Sequence, residues 1–563
     1  MASINNSRHL FFTTSPRSPE KMIPEIEFLA RNFQGEAWNP VTQAQFIQRL
    51  YQESEYYQGG GGFTDPAFSA RDRINRAPQL LGFVNLYPSI KLTDAGSKLV
   101  AAKRTDEVFL RQLLKFQLPS PYHTVSDVSD SIFWVRPYLE IIRLIYDFGS
   151  LSFDELMFFG LQLTDYRKYE DIKSKIKDFR IRKATMAGNY LELKRETRKQ
   201  VVREIFAIEI ASGALRTRES VSDDIDDFVD TKAATMRDYT DACFRYIRST
   251  GLFNIASKSR SLSIMSDRMD DVAYILEHTD RDPVHVTQKQ EYQNYLFDSA
   301  SPTILTDDRS QLLGKLELAG IETESLEEAG VEDLKDLLYA RLESDKAAAI
   351  KNQVAKIKDY SEYSSIMDMF EDIANKKAFD APLMLEWNTW RAMTMLDGGD
   401  IQANLKFDDH GQPMSTAQGN APDIECSYED YGLTVEVTMS SGQRQYEMEG
   451  EPVSRHLAKY KERTGKDAYC LFVAPTISEA SISHFYVLHK TNISYYGGKS
   501  VIVPITLATF LKMLEDSYSA SYVPSSDKVR ELFSYSQAVA DRATSETEWY
   551  DAITKKALNW LAV

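Results

Sequence analysis

Residues 419–449 read GNAPDIECSYEDYGLTVEVTMSSGQRQYEME. Two carboxylates organise the stretch. Asp423 follows Pro422 at the mouth of one apolar-alternating run, and Glu436 lies inside a second, Leu433-Thr434-Val435-Glu436-Val437-Thr438. Successive side chains of a strand point to opposite faces, so Leu433, Val435 and Val437 share one face and Glu436 and Thr438 the other. Asp430-Tyr431-Gly432 is expected to turn one strand into the next. The product is two carboxylates on adjoining strands. That suits a hard divalent cation such as Mg2+, which takes few protein oxygens and keeps several waters. Taken alone, the same spacing also fits an acidic hairpin with solvated carboxylates.

Pro422-Asp423 followed by Glu436-Val437-Thr438 resembles the PD-(D/E)xK nuclease core, with Thr438 where that pattern has lysine. The surroundings fit a nuclease layout. A helix over 385–393 carries Glu386, which is either a third acidic ligand or a surface residue. A helix over 443–463 carries Glu449, Arg455 and His456, and a lone histidine there reads as solvated. Apolar strands follow at 468–475 and 500–504, with helices from 506 onward. Strand pair, helix, strand, strand, helix predicts an α/β sandwich with a mixed sheet.

The 563 residues are 43% hydrophobic and 26% charged, an ordinary globular composition. Such a length predicts three or four domains. Cys243, Cys426 and Cys470 lie far apart, which fits a reducing bacterial cytoplasm without disulfides or a zinc cluster. The N-terminal MASINNSRHLFF lacks a long apolar core, so it does not read as a signal peptide, and no apolar run spans a membrane. The net charge of −17 argues against a general polyanion binder, but its distribution is uneven. Residues 167–204 hold 13 Lys and Arg against 6 Asp and Glu, whereas 301–380 hold 10 against 18.

Upstream, Ser18 reads as an N-cap with Pro19 at the first helical position, and Arg17 and Lys21 bracket a helix start suited to phosphate. The Gly tract at 59–62 lacks the Lys-Ser/Thr of a phosphate loop. Residues 69–99 read as helix, Gly82 turn, two strands and helix, a winged-helix pattern. Its candidate recognition helix, 69–80, carries Arg71, Arg73 and Arg76 near base-reading positions. Lys115 is a further candidate DNA contact. Residues 137–163 read as helix, Gly149 turn, helix, with Ser152 and Glu155 forming a capping box. The basic stretch 167–204 is helical and suited to positioning contacts with phosphates. Residues 236–264 repeat helix, Gly turn, strand, strand, with Arg245 and Arg248 on the helix and Lys258 and Arg260 at the wing.

Taken together, the stretches SPRSPEK (15–21), FSARDRI (68–74), LPSPYH (118–123), FRYIRSTGLF (244–253), LEWNTW (385–390), VEVTMSSG (435–442) and YEMEGEPVSRH (446–456) resemble a known family. It is the type IIS restriction endonucleases related to MlyI and PleI, with their nicking relatives of the BstNBI kind, an AlwI-like group recognising GAGTC. The resemblance implies two recognition subdomains, 1–125 and 126–300, both winged-helix-like. It implies a helical linker, 301–380, and a C-terminal nuclease domain, 381–563. It makes Glu386, Asp423, Glu436 and Glu449 the active-site acids, with Thr438 a family trait and Asp423 and Glu436 the Mg2+ ligands. Double-stranded DNA would be the partner, and both strands would be cut through a transient homodimer. A strand-specific nickase, and a non-catalytic winged-helix regulator, are the alternatives.

Overall fold

The computed structural model describes residues 7–561, apart from 17, 54–63, 124–131, 186–189, 218, 257–259, 376, 379, 398, 408–410, 417–420 and 521–523. Arg17, Lys258 and the Gly tract at 59–62 therefore lie outside the described residues. The chain divides into two compact units between Arg341 and Leu342.

In the N-terminal unit, α1 (Met22–Phe33), α2 (Pro40–Glu53) and α3 (Pro66–Ile74) pack through Ile26, Phe33, Phe46 and Ile74. A 3-10 turn, Pro19–Lys21, precedes α1. Ser18 holds the cap position, but its hydroxyl makes no capping bond. The helix expected over 69–80 is broken. α3 ends at Ile74 with Asn75 as its C-cap, and Pro78 belongs to a separate short segment, Ala77–Leu80. Gly82 then turns the chain at φ +78°, with Leu296 packed where a Cβ would stand. β1 (Val84–Asn85) pairs antiparallel with β2 (Lys91–Leu92), and α4 (Asp94–Val100) and α5 (Thr105–Lys115) follow.

Next, α6 (Pro137–Phe148) ends at Gly149. The chain does not re-enter a helix at once. Leu151 is buried within a strand, β3 (Ser150–Ser152), and α7 (Phe153–Phe158) begins behind it on the expected Ser152–Glu155 capping box. The basic stretch forms α8 (Tyr169–Thr185) and α9 (Tyr190–Ile205). α10 (Ile225–Arg248) leads through Gly251 into a hairpin, β4 (Phe253–Ala256) and β5 (Ser261–Ile264). β5 lies between β3 and β4 in an antiparallel sheet, with Leu151 opposite Leu262. Then come α11 (Met269–His278), α12 (Lys289–Phe297), α13 (Arg309–Leu318) and α14 (Val331–Lys358). The division between the units falls inside α14.

In the C-terminal unit, α15 (Tyr363–Ala374) and α16 (Ala381–Asp397) precede β6 (Asp400–Ala403) and a small hairpin, β7 (Leu405–Phe407) with β8 (Pro413–Thr416). Then follow β9 (Ile424–Ser427), β10 (Tyr431–Val437), α17 (Gly442–Thr464), β11 (Asp467–Ala474), α18 (Glu479–Lys490) and β12 (Ile502–Thr506). Helices α19 (Leu507–Ser519), α20 (Ser526–Arg542) and α21 (Glu546–Ala557) close the unit. The sheet is mixed, in the order β12-β11-β10-β9-β6, with β10, β11 and β12 parallel and β9 and β6 antiparallel. This is the mixed sheet the sequence predicts. Every residue of β10 is buried, because both faces of a central strand are covered. The turn between β9 and β10 sits at Glu429 and Asp430, earlier than expected. Gly432 is a strand residue: a Cβ there would lie 2.2 Å from the Tyr460 ring.

Candidate active site

The β9–β10 ladder ends at the pair Ile424 and Val435. Beyond it, carboxylates take over the bonding. Asp423 Oδ2 accepts the Val437 N–H at 2.8 Å, and the Glu436 carboxylate accepts the Asp423 N–H. Glu436 is thus bonded to the backbone of Asp423, and Asp423 to the backbone of Val437, the residue after Glu436, at one end of the sheet. Glu436 is only 5% exposed, and Asp423 is partly buried. Thr438 donates its N–H to Val473 O at 3.1 Å. Its hydroxyl accepts the Ser440 N–H and donates to Glu449 on α17. One further side chain joins this group: His456 Nδ1 lies 2.8 Å from Glu436 Oε1. His456 is buried, which corrects the solvated reading; the covering comes from α17 lying against β10 and β11. Glu449 and His456 are two turns apart on one helix face, the signal that sequence alone offered. Glu386 lies partly buried on α16, which packs against β6 and β10.

The charges here do not balance. Burial, then the Glu436 and Glu449 charges, push the Asp423 carboxyl well above its ordinary range, against the Val437 N–H bond. Burial and Glu449 push Glu436 up likewise, against the Asp423 N–H and the Arg455 charge. Burial raises Glu449, against the Thr438 hydroxyl and His456. Burial, and next the Arg455 charge, lower His456 to about 4, so its ring is neutral at neutral pH. An ionised carboxylate only accepts hydrogen bonds. With Glu436 ionised, the imidazole proton therefore sits on Nδ1, leaving Nε2 as an acceptor.

The proposed DNA contacts fare unevenly. Lys21 is exposed just before α1, and Arg76 is 44% exposed while paired with Asp72 at 2.6 Å. Arg71 donates to Gln43 Oε1 at 2.8 Å. Arg73 is taken up by buried Glu25 and by the Tyr51 hydroxyl, so the fold uses it. Lys115 is fully buried; it donates to Asp298 O at 2.5 Å, and burial lowers its pKa to about 7. Arg245 pairs with Asp241 at 2.9 Å, and Arg248 is buried. Lys115 and Arg248 are thereby corrected from DNA contacts to interior residues. Periodicity had placed them on helices but could not tell which face the rest of the unit covers. Lys177, Arg182 and Arg195 of the basic helices face solvent.

The acids thus gather at the end of the central strand β10, beside the start of β9. The sequence matches the AlwI restriction endonuclease family over residues 79–513, and the chain belongs to that family. It is accordingly a restriction endonuclease, a site-specific DNA nuclease. No curated protein matches it. Among solved structures it is similar to the small subunit (R.BspD6I2) of the heterodimeric restriction endonuclease R.BspD6I, at 26% identity and TM-score 0.28, over 35% of this chain and 95% of that one. It is also similar to the BpuJ1 endonuclease binding domain in complex with modified DNA (12%, 0.35, over 52% and 96%) and to restriction endonuclease FokI (11%, 0.25, over 93% and 98%). No helix among the described residues is long and apolar enough to cross a membrane.

Proposed function

We propose that this restriction endonuclease is of type IIS. In this reading the N-terminal unit binds a short asymmetric duplex site, and the C-terminal unit hydrolyses phosphodiester bonds a short fixed distance away. The observation that carries it is the Asp423–Glu436 pair, bonded to backbone N–H groups and left with raised proton affinity. The PD-(D/E)xK assignment rests on the same pair, and GAGTC on the resemblance of the sequence stretches quoted above. The winged-helix assignment is supported by the order helix, strand, helix, then helix and hairpin, with β5 joining β3 to β4. Lys21, Arg76 and the solvent-facing cations of α8 and α9 are the proposed phosphate contacts.

Mg2+ fits the donor chemistry. Three carboxylates that repel one another gain from a cation, and this ion needs only one or two of them. Among the described residues, no three His, Cys, Asp or Glu already stand in ligand geometry. Asp423 and Glu436 would hold the ion, which supplies an activated water and charge neutralisation at the phosphate. His456 orients Glu436 through Nδ1. Thr438 fixes Glu449, which together with Glu386 orients the groups around the ligands.

Among the described residues each chain has one such centre, which cuts one strand per engagement. Double-strand cleavage then requires a second copy, through a transient homodimer. A nickase of the same family is the reading if that second copy never engages. The test is a supercoiled plasmid with one GAGTC site, incubated with Mg2+ or EDTA. Linear product that requires Mg2+ and disappears in Asp423→Ala is expected. Open circles alone make the protein a nickase, and intact plasmid from protein that binds GAGTC overturns the catalytic reading.

A further inference from the structure

The cluster has acids in excess, and its substrate is an anion as well. Thr438 stands where the PD-(D/E)xK pattern has lysine, so that position brings no positive charge. Arg455 directly precedes His456 on α17, and the His456 ring lies 2.8 Å from Glu436; the Arg455 charge acts on that carboxylate. Arg455 is only 8% exposed. Its Nε bonds Glu451 at 3.0 Å, but Nη1 is buried and has no hydrogen-bond partner among the described residues. A buried guanidinium N–H left unpaired costs free energy, which an accepting ligand would recover. Other cations towards the end of this helix are engaged: Lys461 with Lys499 O, and Arg463 with Glu425.

We propose that Arg455 is a phosphate-binding catalytic residue, its Nη1 group donating to a non-bridging oxygen of the DNA phosphodiester at the carboxylate cluster. The inference rests on the nuclease reading above and deepens it. Guanidinium matches phosphate in geometry and charge, and hydrogen bonds between charged partners are the strong ones. In this role Arg455 offsets the repulsion between Asp423, Glu436, Glu449 and the incoming phosphate. Glu451, nearly half exposed, holds the guanidinium by Nε and leaves Nη1 for the substrate.

The test compares wild type, Arg455→Ala and Arg455→Met on duplex DNA with one site. The Met variant keeps the apolar stem packed, so it reports the missing charge even if the Ala variant fails to fold. Cleavage in either should fall on the order of 10²-fold, as when one oxyanion donor is removed. Added guanidinium ion should restore the Ala variant at least about tenfold, because the ion re-enters a cavity of its own shape. In EDTA, wild type should bind DNA with a charged scissile phosphate better than a methylphosphonate at that position, and Arg455→Met should not distinguish them. Arg455→Met that cleaves at the wild-type rate, or that still distinguishes the two DNAs, overturns the proposal. Wild type cleaving normally in the same assay separates that failure from failure of the nuclease reading.

Discussion

Two buried charge clusters in this protein behave in opposite ways. In the N-terminal unit, Glu107 and Asp307 meet Arg111 and Lys335, with Arg111 2.7 Å from both acids and Lys335 2.9 Å and 2.5 Å from them. Burial works against the charge on Asp307, yet bonds from Arg111 and Lys335 hold its carboxyl down to about 2; Glu107 is likewise held below its usual range. In the C-terminal unit, burial acts on Asp423, Glu436 and Glu449, Arg455 opposes it only at Glu436, and all three move up. Desolvation is common to both. Internal counter-charge decides the direction. The first cluster completes itself and holds α14 to α5 within its unit. The second is left incomplete, with the proton affinity of its acids raised, as the proposed cation and phosphate site would require.

The sharpest way to break this comparison is to remove one acid from the incomplete cluster. Glu436→Ala should lower cleavage by about 10³-fold or more, while leaving specific DNA binding within a factor of about three. Gel shift and single-turnover cleavage measure the two effects. In the complete cluster the loss should fall on folding instead. Lys335→Met leaves two part-buried acids facing Arg111 alone and should destabilise the N-terminal unit by about 3 kcal/mol, with cleavage per folded molecule unchanged. Denaturant titration beside an activity assay checks this. A smaller effect of opposite sign is expected for Glu436→Gln. A carboxyl whose folded pKa is raised supports folding fully below its unfolded value, and loses that support as pH rises through the folded one. The variant should therefore melt higher than wild type near pH 8, by about 2–4 °C for each kcal/mol of repulsion relieved. At pH 4 the two should melt alike. Smallest is the acid limb of the complete cluster: the stability difference between wild type and Asp307→Asn should shrink as pH falls from about 4 to about 2, the window between the unfolded and folded values.

Local chemistry made much of the C-terminal unit legible. The alternation of Leu433 to Val437 marked a strand, and the apolar runs after it marked the parallel neighbours. Pro422-Asp423 and Glu436 stood out because carboxylates in such runs need a reason. What the sequence hid was covering. Nothing local tells that β10 is roofed on both faces, that Gly432 yields room to Tyr460, or that His456 is buried against Glu436. The same blindness affected the basic residues of the N-terminal unit. Lys115 and Arg73 look like DNA contacts along the chain. In the fold, carbonyls near residue 298 and buried Glu25 claim them, through pairings across dozens to hundreds of residues.

The most direct test of the central claim is calorimetry of Mg2+ binding in two buffers of different ionisation heat near pH 6.5. The wild-type protein is predicted to bind the ion and release protons, because it displaces them from carboxyls with raised affinity. Binding should tighten as pH rises, and Asp423→Asn should lose the site. Binding that is unchanged in Asp423→Asn, or that releases no protons, contradicts the account of an incomplete charge cluster.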